Sequence, residues 1–316
     1  MKIVATAGKP DVAIVYIAEL QPGKLIEFVE SVQPPVPRNK KWVLILSTLY
    51  GCPVKCLMCD AGNQYQGKLS KAEIFAQVDF LINNRFPGQN PVPVEKLKIQ
   101  FARLGEPSFN PNVLEVLEEL PDRFSIPGLI PSLSTVAPVG TELFFERLLQ
   151  IKNKLYSHGK FQLQFSIHTT DLALRDKIVP VRKWDFAHLA RYGEKFYQSD
   201  SRKITLNFAL AQNTPVEPQI LRQNFDPAIF LIKITPLNPT YTAGNNRLSS
   251  YIDPCNQEKK YQLVDQLRTT GYEVLVSIGE VEENYIGSNC GQFLIRHIKA
   301  EQKISSGYTY QIQPTH

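Results

Sequence analysis

The stretch Trp42-Val43-Leu44-Ile45-Leu46-Ser47-Thr48-Leu49-Tyr50-Gly51-Cys52-Pro53-Val54-Lys55-Cys56-Leu57-Met58-Cys59-Asp60 joins an apolar run to three thiols spaced C-x3-C-x2-C. The run Trp42 to Leu46 predicts a buried strand, and the thiols form a loop beyond its carboxyl end. Thiols this close in sequence can face one small object if the backbone loops around it. Thiolates are soft ligands, and three of them suit an iron–sulfur cluster with one iron left without a protein ligand. Such an iron is where a substrate or cofactor can chelate, which points to reactive chemistry more than to electron carriage. Structural zinc is the alternative. It usually takes two paired ligand groups, and no second pair follows here.

Outward from this stretch, strands and helices alternate. Lys71 to Asn83 has the apolar spacing of an amphipathic helix. Leu97 to Phe101, Leu129 to Leu133, Phe161 to Ile167, Ile204 to Leu210, Ile229 to Ile234 and Glu273 to Ser277 are expected strands. Helices are expected over Asn112 to Leu120, Thr141 to Lys152, Phe186 to Tyr197, Glu217 to Arg222 and Gln257 to Thr269. This order predicts right-handed βαβ units and a parallel sheet, an α/β fold that can curve into a full or partial barrel. Before it, Val12 to Leu20 and Lys24 to Glu30 predict a short hairpin around Pro22-Gly23, followed by a Pro-rich link.

Length and composition agree with this. A chain of 316 residues with 43% hydrophobic content can bury a barrel-sized core. Its five cysteines are the three of the loop plus Cys255 and Cys290, an odd and clustered set that argues against a disulfide framework. A reducing cytoplasm is therefore the expected location. No apolar run is long enough to span a membrane, and Met1-Lys2-Ile3-Val4 opens no signal peptide. The net charge of +5 permits a polyanionic partner without demanding one.

In barrels the chemistry collects at the carboxyl ends of the strands. Several polar residues fall there: Gly105-Glu106-Pro107, Ser134-Thr135, Ser166 with His168, and Asn238. Glycine lets a ligand approach the backbone, and a carboxylate can pair with an ammonium group. Each taken alone is ordinary turn or core chemistry. In a barrel all of them would ring the mouth that holds the thiol loop.

With these residues in place the chain resembles a radical S-adenosylmethionine (SAM) enzyme, and most closely the family of RlmN and Cfr, which methylate adenines of ribosomal RNA. The likeness covers the chain from about Glu27 to the segment after Cys290. It includes the thiol triplet, Asp60-Ala61-Gly62, Glu73-Ile74 with Gln77, Gly105-Glu106-Pro107 and Leu133-Ser134-Thr135. It continues through Ser166-Ile167-His168, Arg175-Asp176-Lys177-Ile178-Val179-Pro180, Pro236-Leu237-Asn238-Pro239 and Asn289-Cys290-Gly291-Gln292.

The resemblance implies a partial (β/α)6 barrel over residues 41–300, with a short lead-in at 1–40 and a tail at 301–316. It implies that Cys52, Cys56 and Cys59 hold a [4Fe–4S] cluster whose remaining iron chelates SAM. Gly105 and Glu106 would contact the methionine part, while Ser134, Ser166, His168 and Asn238 would contact the rest of SAM. One electron, from a donor such as flavodoxin or ferredoxin, would cleave SAM to a 5′-deoxyadenosyl radical. Cys290 would carry a methyl group to a carbon acceptor, with Glu27 near the family's proton acceptor.

Two departures stand out. The family's further cysteine, seven residues before the first cluster ligand, is Ile45 here. The stretch before the barrel is also shorter than the RNA methylases' accessory domain. Both draw the expected acceptor away from ribosomal RNA and leave RNA, a peptide or a small molecule open. Two rival readings accompany methyl transfer: a radical SAM enzyme that abstracts hydrogen directly from substrate, and a non-catalytic iron–sulfur protein.

Overall fold

The computed structural model describes residues 1–63, 65–256, 258–288 and 309–315, and one 11-stranded sheet runs through it. Strands β1 (Lys2–Lys9), β2 (Ala13–Gln21) and β3 (Lys24–Ser31) form an antiparallel meander. Gly23, with φ of 73°, makes the β2–β3 turn where the hairpin is expected. Strand β4 (Trp42–Leu46) joins β3 antiparallel, with Val29 opposite Ile45, so the meander continues the same sheet. Two short strands, β5 (Leu49–Tyr50) and β6 (Gly67–Lys68), pair with each other and bracket the cysteine loop.

Helix α1 (Lys71–Arg85) then begins with a capping box, in which the Ser70 hydroxyl accepts from the Glu73 N–H and Glu73 accepts from Ser70 N–H. The alternation continues with β7 (Leu97–Phe101), α2 (Asn112–Arg123), β8 (Leu129–Thr135), α3 (Glu142–Leu155) and β9 (Gln162–Ser166). Helices α4 (Leu172–Ile178) and α5 (Phe186–Phe196) lead to β10 (Ile204–Leu210), α6 (Pro218–Asn224) and β11 (Phe230–Pro236). Helices α7 (Tyr241–Asn245) and α8 (Gln262–Thr269), strand β12 (Val274–Val276), helix α9 (Val281–Ile286) and strand β13 (Gln313–Pro314) complete the order. The helix expected from Gln257 starts at Gln262, and Gln257 itself lies outside the described residues.

From β4 through β7, β8, β9, β10 and β11 to β12 every neighbouring pair is parallel, as the alternation predicts. Strand β13 pairs with β1 at the other edge. Among the described residues no helix is long and apolar enough to cross a membrane.

The helices share one face of this sheet. Trp42 meets Phe86, just past α1, at a ring-centroid distance of 5.6 Å. Far along the sheet, Gly193 of α5 lies so close to Phe230 and Ile204 that a Cβ there would collide with them. The register links Trp42 through Leu97 and Leu129, and Ile204 to Phe230, with the same parity at every step. A doubly wound sheet would have helices on both faces; here the apolar side chains Leu97, Ile99, Phe101, Leu206 and Phe208 all turn to the helices.

The opposite, inner face is polar. Opposite Ile45 comes Gln100, then Ser132, then Gln162; next along are Ser134, Gln164 and Thr205, then Ser166, Asn207 and Lys233. Lys98 lies on the same face, opposite Val43. On a flat sheet β7 and β11, four strands apart in the order, would be separated by ~19 Å. The Lys233 charge is nevertheless the largest of those acting on Lys98, so the two side chains reach toward one another over the inner face, in keeping with a curled sheet around a lumen. Helix α9 lies by the open side of that curl. Its Glu283 accepts from the Ser31 hydroxyl at 2.9 Å and feels the Lys233 charge.

Candidate active site

The cysteine loop is gripped from several sides. Gly51 (φ 74°) and Lys55 (φ 57°) reverse the chain, and Gly62 packs so near Lys55 that a Cβ would stand 2.8 Å from the Lys55 Cα. The Cys52 N–H donates to the Ala61 carbonyl at 2.7 Å and the Leu57 N–H to the Ile178 carbonyl at 2.9 Å. From the far side, the Thr240 hydroxyl donates to the Met58 carbonyl (2.8 Å) and the Asn246 amide to the Leu57 carbonyl (2.9 Å). Asp60 accepts from the N–H of Tyr241 and of Thr242 and from the Thr242 hydroxyl, at 3.1, 2.7 and 2.6 Å. The loops after β4 and β11 are thus one unit. Sequence reasoning missed Thr240, Thr242 and Asn246, because nothing in the one loop names its partner in the other.

All three thiols are half-buried. Burial pushes the Cys52 thiol up to about 11, although the N–H groups of Val54, Glu106 and Lys55 donate to its sulfur and pull the other way. Such donors suit a sulfur held as a metal-bound thiolate, in which the metal replaces the proton. Among the described residues no three His, Cys, Asp or Glu side chains converge on a single ion. In a [4Fe–4S] cluster each thiolate takes a different iron, so convergence on one point is not required.

Gly105 (φ 98°) sits where a Cβ would strike Leu49, so only glycine serves this turn. Glu106 beside it is 4% exposed. Its Oε1 accepts from the Thr135 hydroxyl (2.5 Å) and from the Ser108 hydroxyl (2.7 Å) and N–H (3.1 Å), while Oε2 accepts from Val136 N–H (2.8 Å). Burial raises this carboxyl above its ordinary value, and the four donors oppose the shift. Ser108 is not among the expected site residues; it follows from the turn at Pro107–Phe109, whose N-cap is Glu106.

Ser134 and Ser166 lie on the inner face near the strand ends, and the Gln164 amide donates to the Ser134 hydroxyl at 3.2 Å. His168, just past β9, has φ of 67° and is buried. Its Nδ1 accepts from Ala209 N–H at 3.2 Å, which assigns the proton of the neutral ring to Nε2. Burial, then the Arg175 charge, pull its pKa down to about 4, so the ring is neutral at physiological pH. Asn238 is half-buried two residues past β11, and its carbonyl accepts from Thr240 N–H at 2.9 Å. The loops after β4, β7, β8, β9 and β11 therefore meet or neighbour one another at one end of the sheet.

Glu27 and Ile45 share the inner face, through Val29 opposite Ile45. Glu30 turns the other way, where Tyr16, Trp42 and Arg85 donate to it. Glu27 is fully buried and pairs with Arg103 Nε at 2.7 Å. The same guanidinium donates from Nη1 to the Ser288 carbonyl (2.9 Å) and from Nη2 to the Gly287 carbonyl (2.7 Å), closing the end of α9. Sequence reasoning missed Arg103, since a pair 76 positions apart has no local signature. Cys290 lies outside the described residues, and Cys255 is exposed.

No protein-family model matches the chain. The dual-specificity RNA methyltransferase RlmN of Pseudomonas fluorescens is 26% identical over 272 residues, covering 82% of this chain and 65% of that protein. A probable RlmN of Chlorobaculum tepidum is 24% identical over 278 residues, covering 86% and 69%. The chain thus spans about two thirds of the length of these curated relatives. A radical SAM methyltransferase from Sphaerobacter thermophilus shares the fold, with a TM-score of 0.66 at 20% identity over 92% of this chain and 81% of that one. One-sided helices and a parallel sheet with a three-cysteine loop at its carboxyl end thus give the chain the fold of that radical SAM methyltransferase. Among radical SAM proteins its sequence is similar to the RlmN methyltransferases of the RlmN/Cfr-like family.

Proposed function

We infer that the chain binds a [4Fe–4S] cluster through Cys52, Cys56 and Cys59 and SAM beside it, and that it acts as a radical SAM methyltransferase. The observation that carries this reading is the joint between the cysteine loop and the Glu106 loop, where the Glu106 N–H donates to the Cys52 sulfur. A ligand on the cluster would lie next to a buried carboxylate that is already oriented by Thr135, Ser108 and Val136. A cluster held by Cys52, Cys56 and Cys59 and reduced by an external donor such as a flavodoxin or ferredoxin would supply the electron that splits SAM. The protein supplies position: Gly105 opens room at the backbone, and Glu106 pairs with the amino group of SAM. Ser134, Ser166, His168 and Asn238 orient the rest of the cofactor.

Cys290 carries the methyl group in this reading. Glu27, paired with Arg103, stands at the inner face as the proton acceptor. A second reading, direct hydrogen abstraction from substrate, is favoured by one feature: an isoleucine, Ile45, fills the inner-face position where the family's relay uses a thiol.

Anaerobic incubation of the reconstituted chain with SAM and dithionite, followed by mass analysis of the Cys290 peptide, tests both. 5′-Deoxyadenosine with a methylated Cys290 supports the relay. 5′-Deoxyadenosine with an unmodified Cys290 leaves direct abstraction. No 5′-deoxyadenosine from a fully loaded protein overturns the enzymatic reading.

A further inference from the structure

The inner face of the sheet carries polar groups that the described residues leave unanswered. Lys98 is half-buried there and has no carboxylate within ion-pair distance among the described residues. Across the lumen is a second ammonium, Lys233, which acts on Glu283 of α9 as well as on Lys98. Beside Lys233 in the register, Asn207 is 8% exposed and, among the described residues, its Oδ1 has no hydrogen-bond partner; nor has the Thr205 hydroxyl, 1% exposed. Buried polar atoms are nearly always partnered, and leaving one unpartnered destabilises the fold. Parallel strands are normally apolar on both faces. Gln100 and Gln164 add amide groups to the same surface.

We propose that this lumen is the substrate pocket and that it takes a small metabolite bearing an anionic group, a phosphate or a carboxylate, together with hydroxyl or amine donors. The ammonium of Lys98 answers the anion, and Asn207 and Thr205 answer the donors. This rests on the reading of the chain as a radical SAM enzyme and narrows its acceptor.

Depth separates the proposal from an RNA substrate. Lys98 is the second residue of β7, three residues short of the strand's carboxyl end, so its Cα lies ~10 Å below the rim that holds the cysteine loop. A single base could be extruded into such a lumen, but a base is neutral, and its phosphates would stay at the mouth. An ammonium at the floor has no use for it. Burial and four neighbouring cations, Lys233, Lys41, Lys96 and Arg202, lower the Lys98 pKa to about 7. That is the state of an ammonium awaiting an anion, because a bound anion would restore its charge.

The test uses the full chain with its cluster reconstituted under anaerobic conditions. Inorganic phosphate and succinate are titrated separately at constant ionic strength against a chloride control, and the thermal unfolding midpoint is followed. At least one anion should raise the midpoint and saturate, with Lys98→Met weakening its apparent affinity roughly tenfold or more. Phosphate acting alone identifies a phosphorylated ligand, and succinate acting alone a carboxylate. Asn207→Asp provides a second variant, which places a negative charge in the lumen and should weaken the same anion. Failure of both anions to saturate, or equal binding by wild type and both variants, overturns the proposal. 5′-Deoxyadenosine formation by the wild type in the same samples reports on the radical reading separately, so either can fail without the other.

Discussion

The rim of the sheet and its inner face hold similar polar side chains under opposite conditions. At the rim, Glu106 has four donors, Asp60 has three, and the Leu57 and Met58 carbonyls are both taken. On the inner face, among the described residues, Asn207 Oδ1 and the Thr205 hydroxyl lack partners and Lys98 lacks a counter-ion. A site that completes its own hydrogen bonds is rigid before any ligand arrives, which suits a cofactor that is always the same. A site that leaves bonds open waits for a ligand to complete them, and there specificity is decided. In the proposed reading, constant chemistry sits at the rim and variable chemistry below it.

Breaking the rim should have the largest effect. Replacing any one of Cys52, Cys56 or Cys59 by alanine should abolish cluster incorporation, read as iron and sulfide content and visible absorption, and reduce 5′-deoxyadenosine to background. The protein should still fold, because the loop is held by backbone and side-chain bonds that do not use the sulfurs.

The pair Glu27–Arg103 is an inner-face exception, a charge that has its counter-ion, at the open side of the curl. Arg103→Met leaves a buried carboxylate without its ion and frees the Gly287 and Ser288 carbonyls, and the expected loss is about 3–5 kcal/mol in denaturant unfolding. Adding Glu27→Gln should recover a large part of it. If the double variant is no more stable than Arg103→Met, the ion pair is not what fixes α9 to the strands.

Glu106→Gln keeps the volume but turns two acceptor oxygens into one, so the Val136 N–H or the Thr135 and Ser108 groups must lose a partner. Loss of a charge-assisted contact of this kind is worth about 1.5–3 kcal/mol, or roughly 10–100-fold in SAM affinity by equilibrium dialysis. A value within twofold of wild type would mean that the carboxylate serves the turn alone.

Much of this is legible in the letters, and the gaps have causes. The strands over 42–46, 97–101 and 204–210 fall where apolar runs meet turn residues, because burial on the helix side writes itself into sequence. The thiol loop is legible from spacing alone. Helix α4 escapes a reading by periodicity, since seven residues capped by Asp171 show no apolar stripe long enough to detect. Strands β1 and β13 pair across nearly the whole chain, a contact with no local sign. The polar inner face shows in the sequence only as alternation: Lys98 and Gln100 on either side of Ile99 in one strand, Gln162 and Gln164 on either side of Leu163 in another. Reading these segments simply as apolar strands hides that alternation, and with it the pocket.

The smallest expected effect tests the inner face most directly. Lys98 has its pKa lowered to about 7 by burial and then by Lys233, Lys41, Lys96 and Arg202, against 10.5 when unfolded; Glu283 is an acidic group near Lys233. Below pH 7 both states hold the proton, and the folded state bears the full cost of the buried ammonium. Between about 7 and 10.5 the unfolded state holds a proton that the folded state has released, so stability rises with pH. One such group can contribute a slope of at most about 1.4 kcal/mol per pH unit. Other groups titrate in the same window, so the difference between wild type and Lys98→Met isolates the lysine. The variant should be the more stable at pH 6, with the gap narrowing toward pH 9. A gap that does not change with pH would mean that Lys98 reaches water and that the inner face is solvated, which would place the variable chemistry back at the rim.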